Sequence, residues 1–142
     1  MPVVPAFLNE LRVLDITEGT ETRRFQLLEN FSVISAVVGG IITVPAGFQY
    51  DGESIPVALH SLVPPFGQSK RAACVHDYLY QFGGYQHVDG SWTEVTRKTA
   101  DEVYLELALL KGLPQWRAMM RYRVLRLVGW VAWNKWRQAD AA

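Results

Sequence analysis

The sequence predicts an α+β fold, in which a small N-terminal antiparallel β-sheet built from hairpins is followed by three helices. The first fifty residues carry alternating and β-branched apolar residues, and a Gly39-Gly40 pair separates two such runs. Beyond residue 67 the apolar residues follow a helical period. With 142 residues, 49% of them hydrophobic, the chain is long enough to bury one core. We therefore expect a single domain over 1–142, mainly β over 1–50, a loop over 51–66 and helical over 67–137.

The strands are predicted over residues 11–16 and 25–35 and on both sides of the glycine pair. Gly39-Gly40 is a strong hairpin signal, because both glycines accept positive φ. Pro45 and Gly47 end the strand that follows. The first fifty residues therefore favour antiparallel pairing.

The helices are predicted over residues 68–82, from Thr96 or Thr99 to about Lys111, and over 115–137. Gly83-Gly84 ends the first, and Gly112 with Pro114 ends the second. The intervening YQHVDGSW is typical of an exposed loop or hairpin. Because this connection is short, we expect the first two helices to pack antiparallel.

The charges balance, with 14 basic and 14 acidic residues, so we expect no nucleic-acid partner. The single cysteine, Cys74, excludes an internal disulfide framework and is typical of a reducing compartment. The N-terminal residues do not have the pattern of a signal peptide, and no run is long and apolar enough for a membrane span. We expect a protein of a cytoplasm, not secreted by a signal peptide.

A histidine and an aspartate, His76 and Asp77, are neighbours in the apolar run of the first helix. On a helix they point about 100° apart, so each needs its own partner. His76 requires a carboxylate to hold one ring nitrogen, and Asp101 of the second helix can reach it if the two helices pack antiparallel. Asp77 requires a cation or several donors. Asp51 and a carbonyl of Gly52, on a glycine-containing turn, would complete an all-oxygen set for calcium, which fits better than zinc.

Each of these features also has a purely structural interpretation. His76 and Asp77 are also typical of a hydrogen-bonded structural pair. The Asp51-Gly52 pair is typical of a turn, and Asp101 of a first-turn acid that the helix dipole favours. The alternatives stay open on spacing alone.

The run AACVHDYLY, residues 72–80, resembles the C-C-x-x-H-D-x-C-Y signature of secreted phospholipase A2, and more closely that of its bacterial and fungal form. In that form an Asp-Gly-x-Ser loop, similar to Asp51-Gly52-Glu53-Ser54, precedes the helix. The resemblance implies that His76 is a general base, that Asp101 orients it and that Tyr80 supports both. It also implies a calcium ion held by Asp51, Asp77 and a loop carbonyl, and hydrolysis of a phospholipid or related ester. Alanine and leucine replace the half-cystines of that family.

A second resemblance covers about residues 25–133. The chain has ITVPAGFQYDGESIP (42–56), HDYLY (76–80) and Ala100-Asp101 in the order found in a family of small phage and prophage proteins of unnamed function. This resemblance implies a viral origin, with the protein in the host cytoplasm or associated with the virion.

The last predicted helix carries Trp130, Trp133 and Trp136 among basic residues. The positive charge of the chain is concentrated here, because residues 108–142 contain seven of the 14 basic residues and one acid, Asp140. Such a helix can bind another phage protein, lie on a phospholipid or membrane surface, or pack its tryptophans on the sheet. Two hypotheses follow: a calcium-dependent carboxylic ester hydrolase of a bacteriophage, or a non-enzymatic tail or assembly protein in which the same residues form a structural polar or metal site.

Overall fold

The structure is a computed structural model and describes residues 2–19, 24–50 and 70–141. Its described part is α+β, as predicted: short antiparallel strands come first and helices follow. The strands are β1 (Ala6–Phe7), β2 (Val13–Asp15), β3 (Phe25–Leu27), β4 (Phe31–Ser35), β5 (Gly40–Val44), β6 (Gln49–Tyr50), β7 (Gly84–Gln86) and β8 (Trp92–Glu94). The helices are α1 (Lys70–Phe82), α2 (Arg97–Lys111), α3 (Gln115–Val128) and α4 (Trp130–Ala141).

The strands form two three-stranded antiparallel sheets, ordered β1-β4-β5 and β2-β3-β6, and a hairpin of β7 and β8. The predicted strand over 25–35 is divided, because Asn30 leaves the ladder and its side chain accepts a hydrogen bond from the Ala46 N–H. The predicted turn is present, but only Gly39 of the pair has a positive φ (73°), while Gly40 begins β5. The sheets are therefore smaller and more numerous than the sequence predicts.

The core lies between the β4-β5 strands and the first two helices. On β4 and β5 alternate residues point inward, which is the period of a strand with one buried face. These strand residues pack with apolar residues of α1 and α2, and the central members of the cluster are Phe31, Val33, Ile42, Val44, Val75, Leu79, Val103 and Leu107. The packing fixes the inner faces of both helices, which also carry the polar residues described below.

The first two helices run antiparallel, as predicted. Tyr80 of α1 contacts Asp101 of α2. His76 lies one turn before Tyr80 and contacts Tyr104, which lies nearly one turn after Asp101, so the contacts run in opposite directions along the two helices. Thr96 is the N-cap of α2, and its hydroxyl accepts the N–H of Thr99 at 3.1 Å.

The predicted third helix is two helices in the structure. The first ends at Val128 and the second begins at Trp130, although the Gly129 N–H donates to the Leu125 carbonyl and the Gly129 carbonyl accepts from the Trp133 N–H. Gly129 has right-handed helical dihedrals, φ −63° and ψ −19°, so the chain continues in nearly the same path. The prediction of one helix over 115–137 was wrong in this respect, and α4 extends to Ala141.

Candidate functional site

The helix α1 places His76 and Tyr80 on one buried face, because residues four apart are neighbours on a helix. The His76 ring is 2% exposed. It lies against the Tyr80 ring with centroids 4.1 Å apart, and it packs edge-to-face with the Tyr104 ring of α2, with centroids 5.4 Å apart. Packing of these aromatic rings therefore restricts the orientation of the imidazole.

The predicted contact between His76 and Asp101 is present. The Nε2 of His76 lies 2.8 Å from Oδ1 of Asp101, and the Tyr80 hydroxyl donates to the same oxygen at 2.6 Å. Asp101 is fully buried on the first turns of α2. Because an ionised carboxylate can only accept, Nε2 carries the proton in this pair, and Nδ1 is the second, basic nitrogen of a neutral ring.

The other oxygen of Asp101 contacts two arginines that the sequence did not lead us to assign. Nη1 of Arg126, on α3, donates to Oδ2 at 2.8 Å, and Nη1 of Arg97 lies 3.6 Å from it. Arg97 precedes Asp101 by four residues, so the helical i, i+4 spacing could have indicated this pair. No spacing signal links Asp101 to Arg126, because their approach depends on how α2 and α3 pack.

The electrostatics of the site favour an ionised Asp101. Burial raises the pKa of the Asp101 carboxyl, but the hydrogen bond and charge of His76 and the bonds from Tyr80 and Arg126 outweigh burial, so the pKa lies below its ordinary value. Burial lowers the pKa of His76, but Asp101 and Asp77 outweigh it, and this pKa is raised. Burial and the charge of Asp101 raise the pKa of Tyr80, which stays a neutral donor.

Asp77 points to the adjacent face of α1, as the helical period predicts. Its Oδ1 lies 3.8 Å from Nδ1 of His76, which is too long for a direct hydrogen bond, and its side chain is 11% exposed. Asp77 also lies near Cys74 and Tyr50. Burial is the main cause of the raised pKa of the Cys74 thiol and of the Tyr50 hydroxyl, and the charge of Asp77 raises both further. Asp77 therefore lies beside the imidazole and close to the end of β6.

The other predicted calcium ligands, Asp51 and Gly52, lie outside the described residues. Asp51 follows Tyr50 directly in the sequence, and the Tyr50 side chain lies near Cys74 of α1. Within residues 2–19, 24–50 and 70–141, no three His, Cys, Asp or Glu side chains gather into a group that could hold a metal ion. The calcium site stays a prediction, to which the described part of the chain contributes Asp77.

The three tryptophans of the last helix have different environments. Trp133 packs edge-on against Tyr80, with ring centroids 5.3 Å apart, and the Arg137 guanidinium lies 4.6 Å from its ring centre. Trp136 is half-buried, and Trp130 is more than half exposed. Around the junction of α3 and α4, Leu127, Trp130 and Val131 are exposed apolar residues, and we call these three the outer patch. In the described part of the chain, no helix has the length and apolar character that crossing a bilayer requires.

Comparisons with known proteins identify the family of the chain. Neither the curated proteins nor the solved structures contain a match. A family model described as "Protein of unknown function (DUF1353)" matches residues 25–125, which include α1, α2 and most of α3. His76, Tyr80, Asp101 and Arg97 lie inside this region, and Arg126 follows directly after its last residue. The chain belongs to the DUF1353 family of proteins of unknown function.

Proposed function

We propose that this chain is a bacteriophage hydrolase of carboxylic esters, with phospholipids as the substrate class, and that it works with a histidine–aspartate pair as phospholipase A2 does. The observation that carries the proposal is the arrangement of His76, Tyr80 and Asp101 on two antiparallel helices, with both donors on one carboxylate oxygen. These contacts support the proposal, because the roles that the sequence resemblance implies for His76, Tyr80 and Asp101 require them.

In the proposed reaction His76 is the general base. Its Nε2–H is held by Asp101, so Nδ1 is the nitrogen that takes a proton from the water attacking the ester carbonyl. The positive ring that results is stabilised by the Asp101 carboxylate, while the Tyr80 hydroxyl keeps that carboxylate in place. The ring then returns the proton to the leaving alkoxide as the ester C–O bond breaks, so that a carboxylic acid and an alcohol are released. Because the raised pKa of His76 favours the charged ring, the hydrolysis rate should rise with pH as the ring loses its proton.

The proposal includes a calcium ion held by Asp51, Asp77 and the Gly52 carbonyl. Carboxylate and carbonyl oxygens are the ligands that calcium prefers, and Asp77 lies beside the base. A bound calcium would polarise the ester carbonyl and balance negative charge. Calorimetric titration with calcium tests this part without substrate: the Asp77→Asn variant should lose the heat of binding, and Asp89→Asn, in the exposed β7-β8 hairpin, should keep it. Equal binding by both variants would remove Asp77 from the calcium site.

The sharpest test of the base is a His76→Gln variant. The glutamine amide can place an N–H near the position of Nε2 and so keep a donor to Asp101, but it has no group that can take up a proton. We expect hydrolysis of short-chain and phospholipid esters by the wild type, at least a hundredfold slower turnover in the variant, and similar thermal unfolding of both. Since the ring is 2% exposed, water can reach Nδ1 only when the residues packed around His76 move. Unchanged hydrolysis by the variant, or none by the wild type on any ester, would refute the proposal.

A second candidate function is that of a non-enzymatic phage tail or assembly protein. The outer patch favours it, because Leu127, Trp130 and Val131 are each more than half exposed on neighbouring turns, and Trp is common at the centre of protein interfaces. The buried polar residues around Asp101 would then have a structural role. We propose another phage protein as its partner, with a phospholipid surface as the alternative.

This candidate predicts that the chain remains with gradient-purified virions and that Trp130→Ser reduces its amount there. Val88→Ser is the matched control, since Val88 is an exposed apolar residue at the tip of the β7-β8 hairpin. Absence of the wild-type chain from virions would contradict this candidate. Binding of the wild type to phospholipid vesicles, with loss in Trp130→Ser alone, would point to the membrane surface instead.

A further inference from the structure

The carboxylate of Asp101 is held from both sides, and only one side belongs to the histidine–aspartate pair. Oδ1 accepts from His76 and Tyr80, whereas Oδ2 accepts from Arg126 at 2.8 Å. Rotation of the carboxylate about its Cβ–Cγ bond moves both oxygens, so a donor on Oδ2 adds a restraint to those that already act on Oδ1. Donors on both oxygens fix this rotation, and therefore fix the direction in which Oδ1 faces the imidazole.

Arg126 and Arg97 do not contribute equally. The Nη1 of Arg97 lies 3.6 Å from Oδ2, and its guanidinium donates instead to the main-chain carbonyls of Leu125 and Arg126. Arg97 thus joins the start of α2 to the end of α3, whereas Arg126 makes the close, charge-assisted bond to the carboxylate. The Arg126 side chain is 31% exposed, so this bond extends from the surface to a fully buried oxygen.

We propose that Arg126 is a positioning residue of the candidate hydrolase, because its bond to Oδ2 holds Asp101 in the rotation that presents Oδ1 to Nε2–H of His76. This inference rests on the proposed function for its catalytic meaning. The contact with Asp101 itself does not depend on the chain being an enzyme. Arg126 would not touch the substrate. It would act through Asp101 on the tautomer and orientation of the base.

The test compares Arg126→Met with Arg126→Lys and with the control Arg123→Met, which removes the same charge from an exposed position one turn earlier. Proton NMR of the ¹⁵N-labelled protein can detect a ring N–H that is hydrogen-bonded and protected from exchange. The chain has three histidines, and the His76→Gln spectrum assigns the Nε2–H signal of residue 76. We expect this signal in the wild type and in Arg123→Met, its loss or broadening in Arg126→Met, and its partial return in Arg126→Lys.

Ester hydrolysis provides the second measurement. Outer-shell partners that orient metal ligands typically contribute about tenfold to a hundredfold to activity. We expect a factor of the same size for a residue that orients Asp101, so turnover should fall by that factor in Arg126→Met while KM changes less than about twofold. Arg126→Lys should recover part of the rate, and Arg123→Met should match the wild type. If Arg126→Met does not fold, Arg126→Gln replaces it in both measurements, because the glutamine amide ends two bonds short of Nη1 and therefore loses the bond to Oδ2 as well as the charge.

The two proposals fail in different ways. An unchanged Nε2–H signal in a folded Arg126→Met or Arg126→Gln protein would overturn the positioning role, whatever the activity. Absence of hydrolysis in every protein, the wild type included, would overturn the proposed function, and the NMR comparison would still decide whether Arg126 orients Asp101.

Discussion

Substitution of Asp101 by asparagine tests whether the buried carboxylate is ionised and bonded as the structure describes. The side chain keeps its shape but loses its charge and one acceptor. If the amide oxygen stays toward His76 and Tyr80, the NH2 group faces Nη1 of Arg126, so two donors oppose each other across the present 2.8 Å. If the amide is reversed, the NH2 group faces Nε2 of His76 and the Tyr80 hydroxyl, and Nε2 can accept from it only if the ring proton moves to Nδ1. The second orientation changes two buried contacts and the first only the contact with Arg126, so the first is the better one.

The magnitude follows from what is lost in the better orientation. One hydrogen bond involving charged groups contributes about 1.5–3 kcal/mol, and breaking one side of a buried ion pair costs roughly 3–5 kcal/mol. Arg126 is 31% exposed and can turn toward water, so we expect the lower end, about 3 kcal/mol. That corresponds to a fall in melting temperature of roughly 10 °C for a domain of this size.

Urea unfolding followed by far-UV circular dichroism gives the free energy of unfolding, and thermal unfolding gives the melting temperature. The control is Asp89→Asn, which removes a carboxylate from an exposed position in the β7-β8 hairpin and should leave both values close to those of the wild type. A loss below about 1 kcal/mol for Asp101→Asn, in the range of surface substitutions, would refute the arrangement. It would mean that Asp101 is protonated or that its donors do not converge on it.

Three further predictions concern the same helices. Glu106→Gln should lower the free energy of unfolding by about 1–2 kcal/mol in urea, because Glu106 of α2 accepts from the Ser35 hydroxyl and from main-chain N–H groups of the β4-β5 turn; an unchanged midpoint would contradict this. Gly129→Ala should destabilise the protein even though alanine favours helices, because a methyl group at this position would overlap the Tyr80 hydroxyl. In a Tyr80→Phe background the same change should cost less, and equal costs in both backgrounds would exclude that overlap. The pKa of Asp101 is lowered in the folded protein, so the carboxylate stabilises the fold above the pKa of the unfolded carboxyl, and this stabilisation is lost as pH falls through the folded pKa. Acid should therefore lower the free energy of unfolding of the wild type more steeply than that of Asp101→Asn. Urea titrations at a series of acidic pH values measure this, and the same dependence on pH in both proteins would contradict the prediction.

The elements that the sequence predicts well are those whose signals are local. Thr96 caps α2 because its hydroxyl reaches an N–H three residues away, and Gly39 forms the β4-β5 turn because it accepts a positive φ. The strand β1 has two residues and exists through its pairing with β4, where Ala6 faces Ile34. Two residues are too few to show a period, so β1 could not be predicted.

The residues of the site also divide into those that local spacing predicts and those that depend on how distant elements pack. Helical spacing places His76 and Tyr80 on one face, and antiparallel packing of the helices brings Asp101 to them, so these three could be predicted together. Arg126 could not, since it approaches Asp101 through the packing of α3 on α2. The basic residues of the last helix were interpreted as a surface feature. The structure shows that Arg126 is directed inward to a buried acid and that Arg137 donates to two carbonyls in the last turn of α1.

The cost of removing Asp101 does not by itself explain why the residue is there. Breaking a buried ionic group is expensive because its partners are left behind, yet replacing all the partners by apolar residues of similar volume is often neutral or stabilising. The same two helices show this alternative a short distance away, where Leu79 and Leu107 are fully buried in the core. Packing of α1 on α2 therefore does not require a histidine, a tyrosine, an aspartate and an arginine to converge. These four polar residues supply something that leucines could not, namely an imidazole ring with one nitrogen held by a hydrogen bond and the other free to act as a base. The proposed hydrolysis uses this property.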